Sequence, residues 1–464
     1  MMGKARLGQR GRLFKSLFGE DFEPRSILIV AIDTSKTEPK TRMFDYFVEP
    51  LGESFFFTPD DRGINQIIEA VTETAKQTGK KYIVYGIENT GHYHQPIMSR
   101  LQAKKQHIFL INSVTTKEER NSILDYSKTD DLDLYAIAAA VAGGKVMTQT
   151  TPSFDEEQLQ FLTRTRRVLV KERAKYYTML HTLLDHFWPY IQGVPEIEAG
   201  KPKLARIFSD TWNDVSICFL SHVNSPEEAL KLGRSGLSTL SKTEKMSLGK
   251  RRIELILKSA ELAPKLDDRL MENYLQHLRQ LLESITRISK EIDSLEQSSE
   301  EILIGSPGIL LLSTPYIGPV TAAEWMAEIG FRLSKFPSAS AIIKMAGTNP
   351  VPCESGKHRG QMRISKQGNK YLRSTNYLIG KNLTQGKGNA YFKAFAERLK
   401  GKHAKAIRIA VGNKFIRVAY AMLTQHKLFR PPGLENLMMN PLTKIRSNLR
   451  EKARETLMTL NITI

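Results

Sequence analysis

A chain of 464 residues with 41% hydrophobic and 25% charged residues has room for about three domains, and its composition excludes both a disordered chain and a single small module. No stretch approaches the ~20 apolar residues of a membrane-spanning helix, so no membrane role is expected. A formal net charge of +19 points to a polyanionic partner.

In chain order, residues 1–24 read as a basic arm carrying Lys4, Arg6, Arg10, Arg12 and Lys15, without the apolar run of a secretory signal. Residues 27–33 (ILIVAID) read as a buried strand, 41–48 and 53–58 as further strands, and 61–79 as a helix. A strand at 81–87, a helix over 92–105, a strand at 107–111 and a helix from 130 to 142 follow. Three leading strands and then alternating helices and strands predict an α/β domain over 25–148, a mixed sheet flanked by helices. A helical middle over 149–300 opens with a long helix at 156–188, where Arg164, Arg166, Arg167, Lys171, Arg173 and Lys175 crowd together. Helical pieces continue to about 240, broken at Pro195, Pro202 and Pro226.

Met271, Tyr274, Leu278, Leu281, Ile285, Ile288, Ile292 and Leu295 alternate spacings of three and four, the seam of a coiled coil over 271–295. That seam serves a dimer, an antiparallel pairing within one chain, or a surface helix packed on its own domain. Residues 301–430 predict a mostly α-helical C-terminal domain. In it Pro315, Gly318 and Pro319 set a tight turn between two apolar helices, like a helix-hairpin-helix whose free N–H groups suit a phosphate. An ordinary helical hairpin would look the same. The tail, 431–464, reads as a helix without a chemical signal.

The charge is not evenly spread. Residues 351–430 hold 18 Lys and Arg against only Glu354 and Glu397. A solvated surface intersperses both signs, and a membrane-surface helix concentrates its charge opposite bulky apolar residues. Here cations run through turns as well as helices, which favours nucleic acid. The two cysteines, Cys218 and Cys353, cannot form a disulfide framework, and no Cys/His spacing resembles a zinc site. A reducing compartment, the cytoplasm, is expected.

Four carboxylates carry the chemistry. Asp33 closes the first strand, Glu88 follows the fourth, and Asp130 and Asp133 lie on one face at the start of a helix. Like charges gathered at one end of a sheet are costly unless cations fill the space between them. Two hard divalent ions, Mg2+ or Mn2+, are the expected occupants, and such a pair clamps the attacking and leaving oxygens of a phosphodiester. Each acid also has a structural reading, as a turn residue, an N-cap or a partner of the helix dipole, and Asp131 competes with its neighbours.

The order of elements resembles the RuvC/RNase H-like nuclease fold. ILIVAIDTS, IVYGIENTG and YSKTDDLDLYAIA resemble the D, E and D-x-x-D motifs of the DEDD-type transposases, the insertion-sequence family numbered one hundred and ten, which includes the Piv-type invertases. AGTNPVPCESGKHRGQMRISKQGNKYLR resembles the C-terminal transposase domain of the same family, with SG ahead of ISK-x-G-x-x-x-LR. The likeness covers roughly residues 27–142 and 305–425, with a coiled coil between them as the family has. It implies that Asp33, Glu88, Asp130 and Asp133 form the acidic, metal-holding tetrad, that Lys128 and Thr129 stand in the family's KTD positions, and that Ser355 is a serine nucleophile. Departures from the family are Leu134, where alanine is usual, a basic loop after Ser355 and a longer chain at both ends.

By residue chemistry alone Ser355 is a turn former, with Ser365 as the other candidate. Its surroundings are cationic: Lys357, His358, Arg359, Arg363, Lys366, Lys370 and Arg373 could stabilise an alkoxide and a pentacoordinate phosphate. Arg359, Arg363, Lys366 and Arg373 are the expected phosphate contacts, Lys370 and Tyr371 help hold the strand, and Lys357, Arg164, Arg167 and Lys171 extend the nucleic-acid surface. His358 is a possible proton carrier. The expected reaction is cutting and rejoining of donor and target DNA through a phosphoserine, with a structured guide RNA and a homodimer or tetramer implied by the resemblance. The competing readings are a metal-dependent nuclease or junction resolvase using water, a sugar-kinase-like ATPase and a non-enzymatic nucleic-acid-binding protein.

Overall fold

The computed structural model describes residues 14–15, 17–89, 93–121, 130–146, 153–198, 201–208, 213–352, 362–385 and 389–462. The chain divides into two compact units, residues 1–151 and 152–464. The helical middle, the C-terminal helices and the tail, which the sequence pattern separates, therefore share one unit.

The first unit contains β1 (Ile27–Asp33), β2 (Lys40–Phe44), β3 (Phe55–Phe56), α1 (Asp61–Thr78), β4 (Tyr82–Glu88), α2 (His94–Ala103), β5 (Ile108–Ile111), α3 (Ser113–Asn121) and α4 (Asp130–Ala142). The strand order is β3-β2-β1-β4-β5, with β1 antiparallel to β2 and parallel to β4, and β4 parallel to β5. Strand β1 is apolar at every position before Asp33 because helices cover both its faces. Ile27, Ile29 and Ala31 pack with Leu134, Ile137 and Val141 of α4. Leu28, Val30 and Ile32 pack with Ile64 and Ile67 of α1 and Ile97 of α2. Gly86 of β4 lets α4 come close: a Cβ there would stand 2.7 Å from Val141 Cγ2.

The second unit is built around two long helices, α5 (Phe154–Phe187) and α9 (Asp268–Ile304). Arg166 pairs with Glu296, Arg173 with Ser289, and Phe187 stacks on Tyr274, so the two run antiparallel. Leu278, Leu281, Ile285, Ile288 and Ile292 of the heptad seam are buried. Leu278, Leu281 and Ile285 join Leu180, Leu183 and Leu184 of α5 in one core, so the antiparallel pairing within the chain accounts for the seam. Between these helices lie β6 (Gly193–Glu198), β7 (Lys201–Arg206), α6 (Asp214–His222), α7 (Pro226–Thr243) and α8 (Lys250–Glu261). Residues 193–206 form a two-stranded antiparallel hairpin where helix was expected. Pro195 and Pro202 are tolerated because each strand keeps an open edge.

A second core of this unit gathers Leu303 and Ile304 with a buried 3-10 segment, Pro307–Ser313, and α10 (Pro319–Ile329). It also takes in α11 (Ala339–Met345), α12 (Lys370–Gln385), α13 (Ala390–Glu397) and α14 (Ala404–Gln425). The first arm of the expected helical hairpin is thus a 3-10 segment. The tail folds as 3-10 turns and a short helix, α15 (Arg450–Thr459), whose Ala453 and Leu457 complete this core.

Candidate active site

In the first unit the parallel register pairs Ile32 with Ile87, so Asp33 and Glu88 follow as neighbours at the C-terminal ends of β1 and β4. Side chains alternate along a strand. Asp33 therefore shares the face of Ile29 and Ala31, and Glu88 that of Val84 and Gly86, both being the face that α4 covers. Asp130 opens α4 and Asp133 stands one turn later. Asp133 is buried, 8% exposed, and forms an ion pair with Arg120 of α3. Asp33 and Glu88 thus lie on the sheet face that α4 packs on, and Asp133 lies in the first turn of that helix.

Asp131 is drawn elsewhere. It lies 2.8 Å from Lys40 Nζ, and hydrogen bonds from Lys40 and Ser54 hold its carboxyl below the usual range. Lys40 in turn is paired with Asp33 across the antiparallel register. Lys40 and Arg120 were not singled out from the sequence. Arg120 gave no signal because SVTTKEERN lacks the apolar periodicity of a recognisable helix. Lys128 and Thr129 lie outside the described residues.

In the second unit the cationic segment is a hairpin, β8 (Pro350–Pro352) and β9 (Met362–Ile364), with Pro352 opposite Met362. Residues 353–361 between these strands, with Ser355, Lys357, His358 and Arg359, lie outside the described residues. The base of the hairpin is tightly held. Ser365, the other candidate serine, donates from Oγ to Asn349 Oδ1 at 2.7 Å, and its backbone N–H bonds the Asn349 carbonyl. Asn413 accepts from Thr348 Oγ1 at 2.6 Å and from Asn376 at 3.2 Å. Arg363, Lys366 and Lys370 are exposed.

Arg373, expected at a phosphate, instead donates to the carbonyls of Ala346 and Lys366 at 3.2 and 3.1 Å. Arg164 and Arg167 are likewise engaged inside the protein. Arg164 makes a two-pronged pair with Glu328 at 3.0 and 2.9 Å and covers the Tyr371 ring at 4.5 Å. Arg167 lies 2.6 Å from Glu324, which Arg166 also meets at 3.2 Å, and bonds Thr375. Asn369 donates to Glu328 at 2.5 Å, so the ISK-x-G-x-x-x-LR segment is clamped onto α5 and α10. Of the three residues expected on α5 at nucleic acid, Lys171 alone is fully exposed. Their sequence could not separate these roles, because α10 supplies the acids from more than a hundred residues away.

Residues 30–189 match the DEDD transposase model of the IS110 family, and residues 309–396 match the transposase model described as the IS116/IS110/IS902 family. The chain belongs to the IS110 transposase family. The two matched regions hold the acidic sheet end and the cationic hairpin, in the family's order. The insertion element IS116 44.8 kDa protein of Streptomyces clavuligerus is 23% identical over 83% of this chain and 92% of its own length. The mini-circle putative transposase for IS117 of Streptomyces coelicolor is 24% identical over 65% of this chain and 71% of its own. The pilin gene-inverting protein of Moraxella bovis is 31% identical over 33% of this chain and 47% of its own. This transposase is accordingly an enzyme that acts on DNA, and among its described residues no helix is long and apolar enough to cross a membrane.

Proposed function

We propose that this IS110 transposase cuts and rejoins DNA through a phosphoserine intermediate, as a site-specific recombinase. The observation that carries the reading is that Asp33 and Glu88 end neighbouring parallel strands on the sheet face covered by α4, the helix whose first turn carries Asp133. The strand order and the helix over this face support a RuvC/RNase H-like catalytic domain. An all-oxygen donor set fits Mg2+ or Mn2+, and Asp133, which pairs with Arg120, would exchange that guanidinium for the ion. Asp33, Glu88, Asp130 and Asp133 would hold two such ions, which would supply Lewis-acid stabilisation of the phosphate charge.

Ser355 is the nucleophile. Its Oγ forms a bond to phosphorus, the bond from phosphorus to a deoxyribose oxygen breaks, the serine proton leaves to solvent or a nearby base, and the displaced oxygen becomes a free hydroxyl. The reverse attack by a second hydroxyl rejoins DNA without an outside energy source. Lys357, Arg359, Arg363 and Lys366 balance charge on the phosphate, and Gly318, which precedes α10, supports a backbone contact of the helix-hairpin-helix kind. The reading includes a structured guide RNA beside donor and target DNA and a dimer or tetramer, while the net charge of +19 supports a polyanionic partner of either kind.

Covalent trapping tests the mechanism. Wild-type protein should carry labelled DNA on a denaturing gel, while Ser355→Ala and Asp33→Ala should abolish strand exchange and leave DNA binding largely intact. Free ends without a protein-linked band would favour hydrolysis by water. Recombination by Ser355→Ala would overturn the serine assignment. Nuclease-sensitive RNA copurifying with the protein tests the guide.

A further inference from the structure

Within the second unit, three side chains of different chemistry meet. Cys218 and His222 stand four apart on α6 and so share a face, and Glu244 follows the last turn of α7. Their ligand atoms all lie within 4.8 Å of one another, with His222 Nε2 3.6 Å from Glu244 and Cys218 Sγ 4.0 Å from His222 Nδ1. His222 Nδ1 is 2.9 Å from the Cys218 carbonyl oxygen. Donation there fixes the tautomer and leaves the Nε2 lone pair toward Glu244, the arrangement that orients a metal-binding imidazole.

We propose that Cys218, His222 and Glu244, none of them assigned to DNA strand exchange, bind one Zn2+ ion. One sulfur, one imidazole nitrogen and one carboxylate oxygen suit a borderline-soft dication and not Mg2+. Cys218 and His222 also line a cavity of about 540 Å³. A dication exactly offsets a thiolate and a carboxylate. The ion would fasten α6 to the end of α7, just before Met246 and Leu248 enter the core, and would act as a structural staple. Cys-x-x-x-His alone is too weak a sequence signal, and the third ligand is visible only once α7 has folded back.

The full chain titrated with Co2+ tests this, because a thiolate-to-cobalt charge-transfer band reports sulfur ligation. The band should saturate at one equivalent, vanish on adding Zn2+, and persist in Asp33→Ala and in Cys353→Ser. It should be absent from Cys218→Ser and from His222→Ala, and Zn2+ should raise the melting temperature of Cys353→Ser but not of Cys218→Ser. Glu244→Gln, which leaves α6 untouched, should weaken cobalt binding without unfolding the protein. No band in folded wild type, or a band that survives Cys218→Ser, overturns the proposal. The result is independent of the recombinase reading, which the trapping experiment decides.

Discussion

Lys444 reaches from the tail to donate to the carbonyls of Thr314 and Ile317, at 2.7 and 2.9 Å, in the turn before α10. Burial lowers its pKa to about 8. The folded state therefore releases this proton before the unfolded chain does, whose lysine titrates near ~10.4. Between these values the unfolded state binds more protons, so this residue makes the fold more stable as pH rises from about 8. Denaturation midpoints compared between wild type and Lys444→Met should differ by an amount that changes across that window and is constant below it. A constant difference throughout would mean that Lys444 keeps an ordinary pKa. Sequence alone suggested no role for the tail, because a single lysine among polar residues acquires one only through the turn it reaches.

At the scale of elements, the packing of α4 on β4 sets where Asp133 stands relative to Glu88. Gly86 makes that approach possible, since a Cβ would meet Val141 at 2.7 Å and Ile137 at 3.1 Å. Gly86→Ala should cost about 1–3 kcal/mol by overpacking and reduce strand exchange more than DNA binding. Adding Val141→Ala should recover part of both, as read by thermal melting and a recombination assay. No recovery would place the strain elsewhere. The strands and helices around this contact were legible because ILIVAID and KYIVYGI are apolar runs bounded by acids or turns, and DDLDLYAIAAAVA is a buried helix with its charges at one end. The β6–β7 hairpin was not, since its prolines resemble helix breaks until the open edges of a two-stranded sheet are seen. The 271–295 seam correctly announced a packed helix, but spacing cannot say whether the partner helix belongs to the same chain.

Across the whole molecule, the excess of cations divides into two populations. Arg164, Arg166 and Arg167 neutralise Glu324 and Glu328, which are 7% and 6% exposed. Arg363, Lys366, Lys370 and Lys171 are exposed to solvent. Sequence displayed both groups as one basic field, because local charge density cannot reveal acids that arrive from α10. The two groups should respond oppositely to mutation. Arg167→Ala leaves the buried Glu324 carboxylate with Arg166 and a 3.4 Å hydrogen bond from Thr375, and should destabilise the second unit by roughly 3 kcal/mol. The salt slope of DNA binding by whatever protein remains folded should not change. Lys366→Ala should leave the melting temperature nearly unchanged, because its ammonium is exposed. It should reduce the magnitude of the slope of log K against log salt by about 0.9 if it neutralises one phosphate. Melting curves and binding isotherms at several salt concentrations separate these outcomes. A reduced slope in folded Arg167→Ala, with no loss of stability, would move that arginine back to the nucleic-acid surface.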